Sequence, residues 1–191
     1  MDLRQILFKY RSYTPIPFLV VMILIARPTV VSFILGIVLV ILGELTRLWG
    51  VSYAGSETRT TGTVGATYLV TSGPFSHVRN PLYLGNMIMY FGFGIISNSL
   101  VLALIGLLYF LFQYSLIVSL EEESLFKKFL DEYVEYYSEV PRFIPRIKKY
   151  KSEASHQIEI DWKKGIKSEK RTLQAIFLVI ILLGIIWHLR S

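Results

Sequence analysis

The sequence predicts an all-α integral membrane bundle of about five transmembrane helices, and three observations predict it. Of 191 residues, 53% are hydrophobic, and the mean hydropathy is +0.50, which is more apolar than a soluble domain that alternates apolar with charged residues. Residues 29–48, 100–120 and 173–189 are runs of 20, 21 and 17 residues nearly free of charge, long enough to cross a hydrocarbon core. The basic residues behind the net charge of +6 gather at the ends of such runs, which suits membrane topology and anionic lipid better than nucleic acid.

The elements follow in order. Residues 16–26 are an apolar stretch of only 11, about 16 Å of helix against a core of about 30 Å. Residues from Phe8 onward must therefore join this first span, with a kink at Pro15 and Pro17. Arg27-Pro28 makes the turn into the second span, 29–48. The third, 82–99, contains glycines and ends in the polar turn Ser97-Asn98-Ser99, which folds it against the fourth, 100–120, as an antiparallel hairpin. Beyond it Leu125, Phe129, Tyr133 and Tyr136 recur at spacings of 4, 4 and 3, the period of an amphipathic helix that stops before Pro141. Residues 121–145 are thus expected to be a cytoplasmic amphipathic helix with its following motif, residues 146–172 a basic linker near anionic headgroups, and residues 173–189 the last span. A single membrane domain, 1–191, is expected. The start of the chain lacks an apolar core followed by a small-residue cleavage site, so no cleavable signal is expected.

The distribution of charge sets the orientation. With the N-terminus inside, Arg4, Lys9, Arg11, Arg59, Arg79 and the 12 Lys or Arg residues of 121–172 face the cytoplasm, and only Arg27 and Arg190 face the other side; the positive-inside rule selects this arrangement. The absence of cysteine excludes disulfides, thiolate metal sites and cysteine nucleophiles. The three histidines, His77, His156 and His188, are scattered, and no metal site is expected.

Three polar clusters lie at the cytoplasmic ends of spans. The first is the run from Ser72 to Asn86, a turn followed by polar donors and then a helix with Pro81 near its start, where the free backbone amides favour an anion. The second is Glu121-Glu122-Glu123, directly after an apolar run, where ionised acids need cationic partners. The third holds Glu44 and Arg47, three apart on one helix face. An interface anchor accounts for the first cluster equally well, and mutual pairing is the favoured role of the third. Together, however, a cation, several carboxylates and aromatic rings at one boundary match S-adenosylmethionine, which has a carboxylate for Arg79, an ammonium and ribose hydroxyls for the glutamates, and a sulfonium for an aromatic face. No G-x-G-x-x-G occurs and strands do not alternate with helices, which excludes a soluble Rossmann-type methyltransferase.

The run Gly73-Pro74-Phe75-x-x-Val78-Arg79-Asn80-Pro81-Leu82-Tyr83-Leu84-Gly85, followed by Glu121-Glu122-x-x-Leu125-x-x-x-Phe129-x-x-x-Tyr133-x-x-Tyr136 and Val140-Pro141-Arg142-Phe143-Ile144-Pro145, resembles the isoprenylcysteine carboxyl methyltransferase and phospholipid methyltransferase family. The resemblance covers roughly residues 43–145. It implies a membrane enzyme that binds S-adenosylmethionine at its cytoplasmic face and transfers a methyl group to a lipophilic small molecule or lipid. It assigns cofactor contacts to His77, Arg79, Asn80, Pro81, Tyr83, Leu84, Gly85, Glu121 and Glu122, with Leu69 and Val70 beside the adenine, and it makes Arg79 and Glu122 the central pair. Glu44 and Arg47 are candidate substrate contacts. Many members carry histidine where this chain has Asn80 and glycine where it has Leu130, so a histidine-specific role is not transferred to position 80.

The acceptor stays open at this stage. An ionised carboxylate needs no general base, whereas an ammonium must lose a proton, with Glu122, Glu44 or His77 as candidate bases. Residues 52–67, rich in Gly, Ser and Thr, are a candidate lid. Two other classes fit part of the pattern. A membrane reductase would use Arg142, Arg146, Lys148 and Lys149 for a nicotinamide dinucleotide, and in a non-catalytic lipid-binding scaffold the charged residues would pair with one another or with headgroups.

Overall fold

A computed structural model describes residues 2–55, 68–151 and 159–190. Within them the chain forms α1 (Leu3–Tyr10), α2 (Pro15–Ile25), α3 (Val30–Ala54), a short 3-10 turn (Gly73–Ser76), α4 (Pro81–Ile96), α5 (Leu100–Glu139) and α6 (Trp162–Arg190). The protein is an integral membrane helical bundle. Helices α3, α5 and α6 are long and apolar enough to cross a membrane, and α2 and α4 are shorter apolar helices. Arg59, most of the candidate lid and His156 lie outside the described residues.

The central contact is α3 against α4, which run antiparallel with glycine facing glycine. A Cβ on Gly43 would stand 2.6 Å from the Gly85 carbonyl oxygen, and one on Gly92 would stand 2.9 Å from that of Gly36. Backbones meet directly at both levels, the close approach that small residues allow between helices in lipid. Helix α5 packs on the free face of α4, and α6 packs on α3. Toward the middle of the bundle, Met22, Val40, Met89, Phe93, Val179 and Leu183 form one buried cluster contributed by α2, α3, α4 and α6. A second, around Phe110, Tyr114, Met87 and Phe8, joins α1, α4 and α5.

The turns have physical causes that are visible in the residues. Thr29 and Ser32 form a reciprocal capping box at the start of α3. Asn98 has φ +58 between α4 and α5, a left-handed conformation that asparagine tolerates. The amide of Arg27 donates to the Ser97 carbonyl at 3.1 Å, which ties the α2–α3 turn to the α4–α5 turn. At the same end, Arg190 Nη1 donates to the Ala26 carbonyl at 2.5 Å and Nη2 to that of Leu24 at 3.3 Å, latching the foot of α6 to α2.

Three helices differ in extent from the pattern of hydropathy. α3 continues to Ala54 rather than 48, because its last turns, with Gly50, Val51, Ser52 and Ala54 buried, pack against protein rather than lipid. α6 begins at Trp162 rather than 173, so the basic linker is shorter than expected. Asp161 caps it by accepting from the Lys164 amide at 3.0 Å, which holds its carboxyl below the ordinary range, and the Asp161 amide donates to the Ser52 carbonyl. α5 runs through the expected amphipathic segment and breaks at Leu130, where φ is 43 and ψ is −121. It ends at Glu139, short of Pro141 as expected.

Candidate active site

The two motifs of the sequence are brought together edge to edge. The Arg79 amide donates to the Pro141 carbonyl at 2.9 Å, the Arg146 amide to that of His77 at 2.9 Å, and the Tyr150 amide to that of Ser76 at 3.0 Å. Asn80 Nδ2 donates to the Arg142 carbonyl at 3.2 Å, and the Tyr136 hydroxyl donates to the Phe75 carbonyl at 2.8 Å. The 73–80 turn is therefore held by the segment that follows α5, with Leu69, Tyr133, Tyr136, Val140 and Tyr150 buried between them.

At the centre of this junction stands Glu122, 5% exposed. Arg79 donates to its Oε1 through Nε at 3.1 Å and Nη2 at 3.0 Å, and Arg142 Nη2 donates to its Oε2. Arg79 also donates through Nη1 to the carbonyls of Tyr137 at 2.8 Å and Val140 at 2.5 Å, and its guanidinium lies 4.0 Å from the Tyr137 ring centroid. Two guanidiniums thus enclose one carboxylate, and the surplus charge is positive.

Its neighbours in the acidic triplet have partners as well. Glu121 Oε1 accepts from the Tyr83 hydroxyl at 2.8 Å and from Arg11 at 3.4 Å, and Glu123 pairs with Arg4. The cations that acids at membrane depth require come partly from α1 and the turn after it. Nothing in the pattern of either motif pointed to those residues.

A cavity of about 830 Å³ opens beside this junction, a size that accommodates a cofactor or drug-sized ligand. Leu69, Val70, Arg79, Asn80, Pro81, Tyr83, Glu121 and Glu122 line it, as does Arg47. Four expected site residues stand outside its lining. His77 turns its Nδ1 to the Arg146 carbonyl at 2.8 Å, Leu84 packs in the cluster around Phe110, Gly85 lies against Gly43 and Arg47, and Glu44 sits behind Arg47 at 3.5 Å.

The cavity continues into the bundle, past residues the motifs do not include. Its inner wall carries Asn86, Met89 and Tyr90 of α4, Tyr114 of α5, and Glu169, Thr172 and Ala175 of α6. Glu169 is 1% exposed and accepts from Arg47 Nη2 at 3.0 and 2.9 Å, while Arg47 Nη1 donates to Asn86 Oδ1 at 2.5 Å. Sequence reasoning missed Glu169 because it stood in what read as a polar linker. Its signal was a lone acid among Lys167, Lys170 and Arg171 within helical reach of an apolar run.

The profile of the phospholipid methyltransferase family matches residues 31–132, from the start of α3 past the acidic triplet. The chain belongs to the phospholipid methyltransferase family. It is also similar to the cobalt-zinc-cadmium resistance protein CzcN of Cupriavidus metallidurans, 32% identical over 126 residues that make up 66% of this chain and 55% of that protein. The nickel-cobalt-cadmium resistance protein NccN of Alcaligenes xylosoxydans xylosoxydans is 31% identical over 125 residues, 65% of this chain and 55% of its own length. The chain thus spans about half the length of these curated relatives. No solved structure matches it. The family assignment accounts for the bundle and for the two motifs at its polar end, and it marks α6 and the 140–150 segment as parts of the site that lie beyond the matched residues.

Proposed function

We infer that the protein transfers a methyl group from S-adenosylmethionine to a lipophilic acceptor at the cytoplasmic face of the membrane. The observation that carries this reading is one continuous cavity with the family's motif residues at its outer end and the side chains of three membrane helices at its inner end. The outer end fits the donor. Leu69 and Val70, both 8% exposed, offer apolar contact for a purine. Asn80, Tyr83 and Glu121 offer polar groups, and the surplus positive charge of Arg79 and Arg142 around Glu122 suits an amino-acid carboxylate. When bound, S-adenosylmethionine supplies an already activated methyl group on a sulfonium. The chain's own residues hold the donor, orient the acceptor from the bilayer side and exclude water, which leaves catalysis mostly a matter of positioning.

In this reading Arg79 and Glu122 hold the shape of the donor site, and His77, Leu84 and Gly85 support it from outside the cavity. The distribution of Lys and Arg supports a cytoplasmic N-terminus and a cytoplasmic site. Because the sequence has no native cysteine, single cysteines at Ser12 and Ser99 test that directly. A membrane-impermeant maleimide added to right-side-out vesicles should label Ser99→Cys and spare Ser12→Cys.

Isothermal calorimetry on detergent-purified protein tests the function, with S-adenosylmethionine, reduced nicotinamide dinucleotide and Glu122→Gln as the three arms. Micromolar binding of S-adenosylmethionine that is lost in the variant is the expected result. Binding of the dinucleotide instead would transfer the site to a reductase, and binding of neither would leave a lipid-binding scaffold.

A further inference from the structure

The segment that follows α5 carries apolar side chains that the bundle leaves uncovered. Beyond Glu139 the chain turns back toward the spans. Arg142 reaches Glu122, two residues past the apolar run 100–120, and Phe143 packs against the cluster that holds Phe8, Phe110 and Ile117. Residues 142 and 143 therefore stand level with the point where α5 leaves the hydrocarbon. A few residues on, the Arg146 amide donates to the His77 carbonyl, and the His77 ring lies 6.3 Å from that of Trp49, the residue after the apolar run 29–48. The segment is thus tied to the same level on α3.

Between these ties Ile144 is 79% exposed and Ile147 is 98% exposed. Lys148 and Lys149, which follow, are exposed and enter no ion pair among the described residues. One exposed isoleucine is ordinary on a protein surface. These two stand three apart on a backbone that is fixed on both sides. Arg146 is bonded to His77 twice, by its amide at 2.9 Å and by its carbonyl at 2.8 Å from Nδ1, and the Tyr150 amide donates to the Ser76 carbonyl at 3.0 Å. Pro141 and Pro145 restrict the backbone further. The isoleucines are therefore held outward rather than left to fold in.

We propose that residues 143–149 are a docking loop for the phospholipid surface around the protein, with Ile144 and Ile147 seated at the boundary of headgroups and acyl chains and Lys148 and Lys149 on anionic headgroups. Branched apolar side chains beside unpaired lysines, at the height where spans end, are the composition that an anionic bilayer interface binds. Two isoleucines alone are too small a patch for a stable protein partner. The loop continues from the residues whose carbonyls hold Arg79 and Asn80, so docking fixes the height at which the cavity opens. The inference needs no ligand in the cavity and stands or falls apart from the methyl-transfer reading.

The test uses the whole chain. Because it has no native cysteine, a bimane label is placed on Ile144→Cys, on Ile147→Cys and, as an exposed control on the last turn of α5, on Ser138→Cys. Each is compared in detergent, in nanodiscs of phosphatidylcholine, and in nanodiscs of equal phosphatidylcholine and phosphatidylglycerol, with and without a lipid spin-labelled high on its acyl chain. In the mixed discs the labels at 144 and 147 should be quenched about twofold or more, as for side chains seated in the interface, and the label at 138 should not. Lys148→Gln/Lys149→Gln should bring the quenching in mixed discs down to its level in neutral ones. Hydrogen exchange on unlabelled protein, which carries no apolar dye, should be slower at residues 143–149 in mixed discs than in neutral discs, and Ile144→Ser/Ile147→Ser should abolish that difference. Quenching at 144 and 147 no greater than at 138, or exchange that ignores lipid charge, overturns the docking loop. Equal shielding of the isoleucines in detergent and in both discs also overturns it, because this chain or a second copy would then be their cover.

Discussion

The two ends of the cavity are built from the same pieces in opposite proportion. At the mouth, one carboxylate, Glu122, stands between two guanidiniums, Arg79 and Arg142. On the inner wall, one guanidinium, Arg47, stands between two carboxylates, Glu44 and Glu169. The first cluster joins the two motifs outside the spans and is braced by backbone carbonyls. The second joins α3 to α6 within the bundle through side chains, with Asn86 of α4 beside them. The comparison teaches that the two ends of one cavity differ in the ratio of guanidinium to carboxylate rather than in residue type.

Removing the shared cation should have the larger effect. Arg47→Ala leaves Glu44 and Glu169 buried without a partner, and breaking a buried pair in this way costs about 3–5 kcal/mol. For a chain of this size that corresponds to a melting temperature lower by roughly 10 °C, readable by fluorescence size-exclusion after a temperature ramp. A change within about 2 °C, under 1 kcal/mol on the same scale, would mean that water already compensates the two acids. Glu122→Gln is the milder counterpart. Arg79 keeps the Tyr137 and Val140 carbonyls and the Tyr137 ring, so the loss is about 1.5–3 kcal/mol, the worth of charge-assisted hydrogen bonds. It should appear first as lost donor binding rather than as unfolding. A Glu122→Gln protein that melts lower than Arg47→Ala would reverse the comparison.

The mouth was legible in the sequence and the inner wall was not, for a physical reason. The mouth is built from two short motifs read directly along the chain, and the cost of burying acids calls for cations near the acidic triplet without saying that Arg4 and Arg11 supply them. The inner wall depends on helices distant in sequence meeting at one level, which periodicity does not reveal. Glu44 and Arg47 stood out by being charged within an apolar run, but their third member, Glu169, lay in a stretch whose composition read as a surface linker. In the α3–α4 contact Gly36 and Gly43 face Gly92 and Gly85, and Gly50 faces Leu82, a spacing of seven that keeps small residues on one helix face.

That contact sets the distance between the two clusters, because Arg47 and Gly85 touch across it. A methyl group on Gly43 would press on the Gly85 carbonyl oxygen at 2.6 Å and the Met89 amide nitrogen at 2.8 Å. Both are backbone atoms, so the helices must separate. Gly43→Ala should cost about 1–3 kcal/mol, as overpacking does, and should weaken methyl transfer more than donor binding, since the inner wall moves and the mouth does not. Equal losses of the two would show that the clusters shift as one unit.

The smallest expected effect runs in the stabilising direction, at the break in α5. Leu130 has φ 43 and ψ −121, a backbone conformation that glycine adopts freely and other residues adopt at about 1–3 kcal/mol. It is also a position where the sequence departs from the family it resembles, with leucine in place of glycine. The side chain is 65% exposed, so removing it sacrifices little burial, while the added freedom of glycine in the unfolded chain offsets part of the gain by about 0.5–1 kcal/mol. Leu130→Gly should therefore raise the melting temperature by about 2–4 °C, and Leu130→Val, which is stiffer, should lower it. The break orients the last turns of α5, which carry Tyr133 and Tyr136 onto the cavity and Tyr137 onto Arg79. Donor affinity should accordingly hold or rise in the glycine variant. A drop in donor affinity with a gain in melting temperature would mean that the strain at Leu130 is used to press that wall toward the mouth.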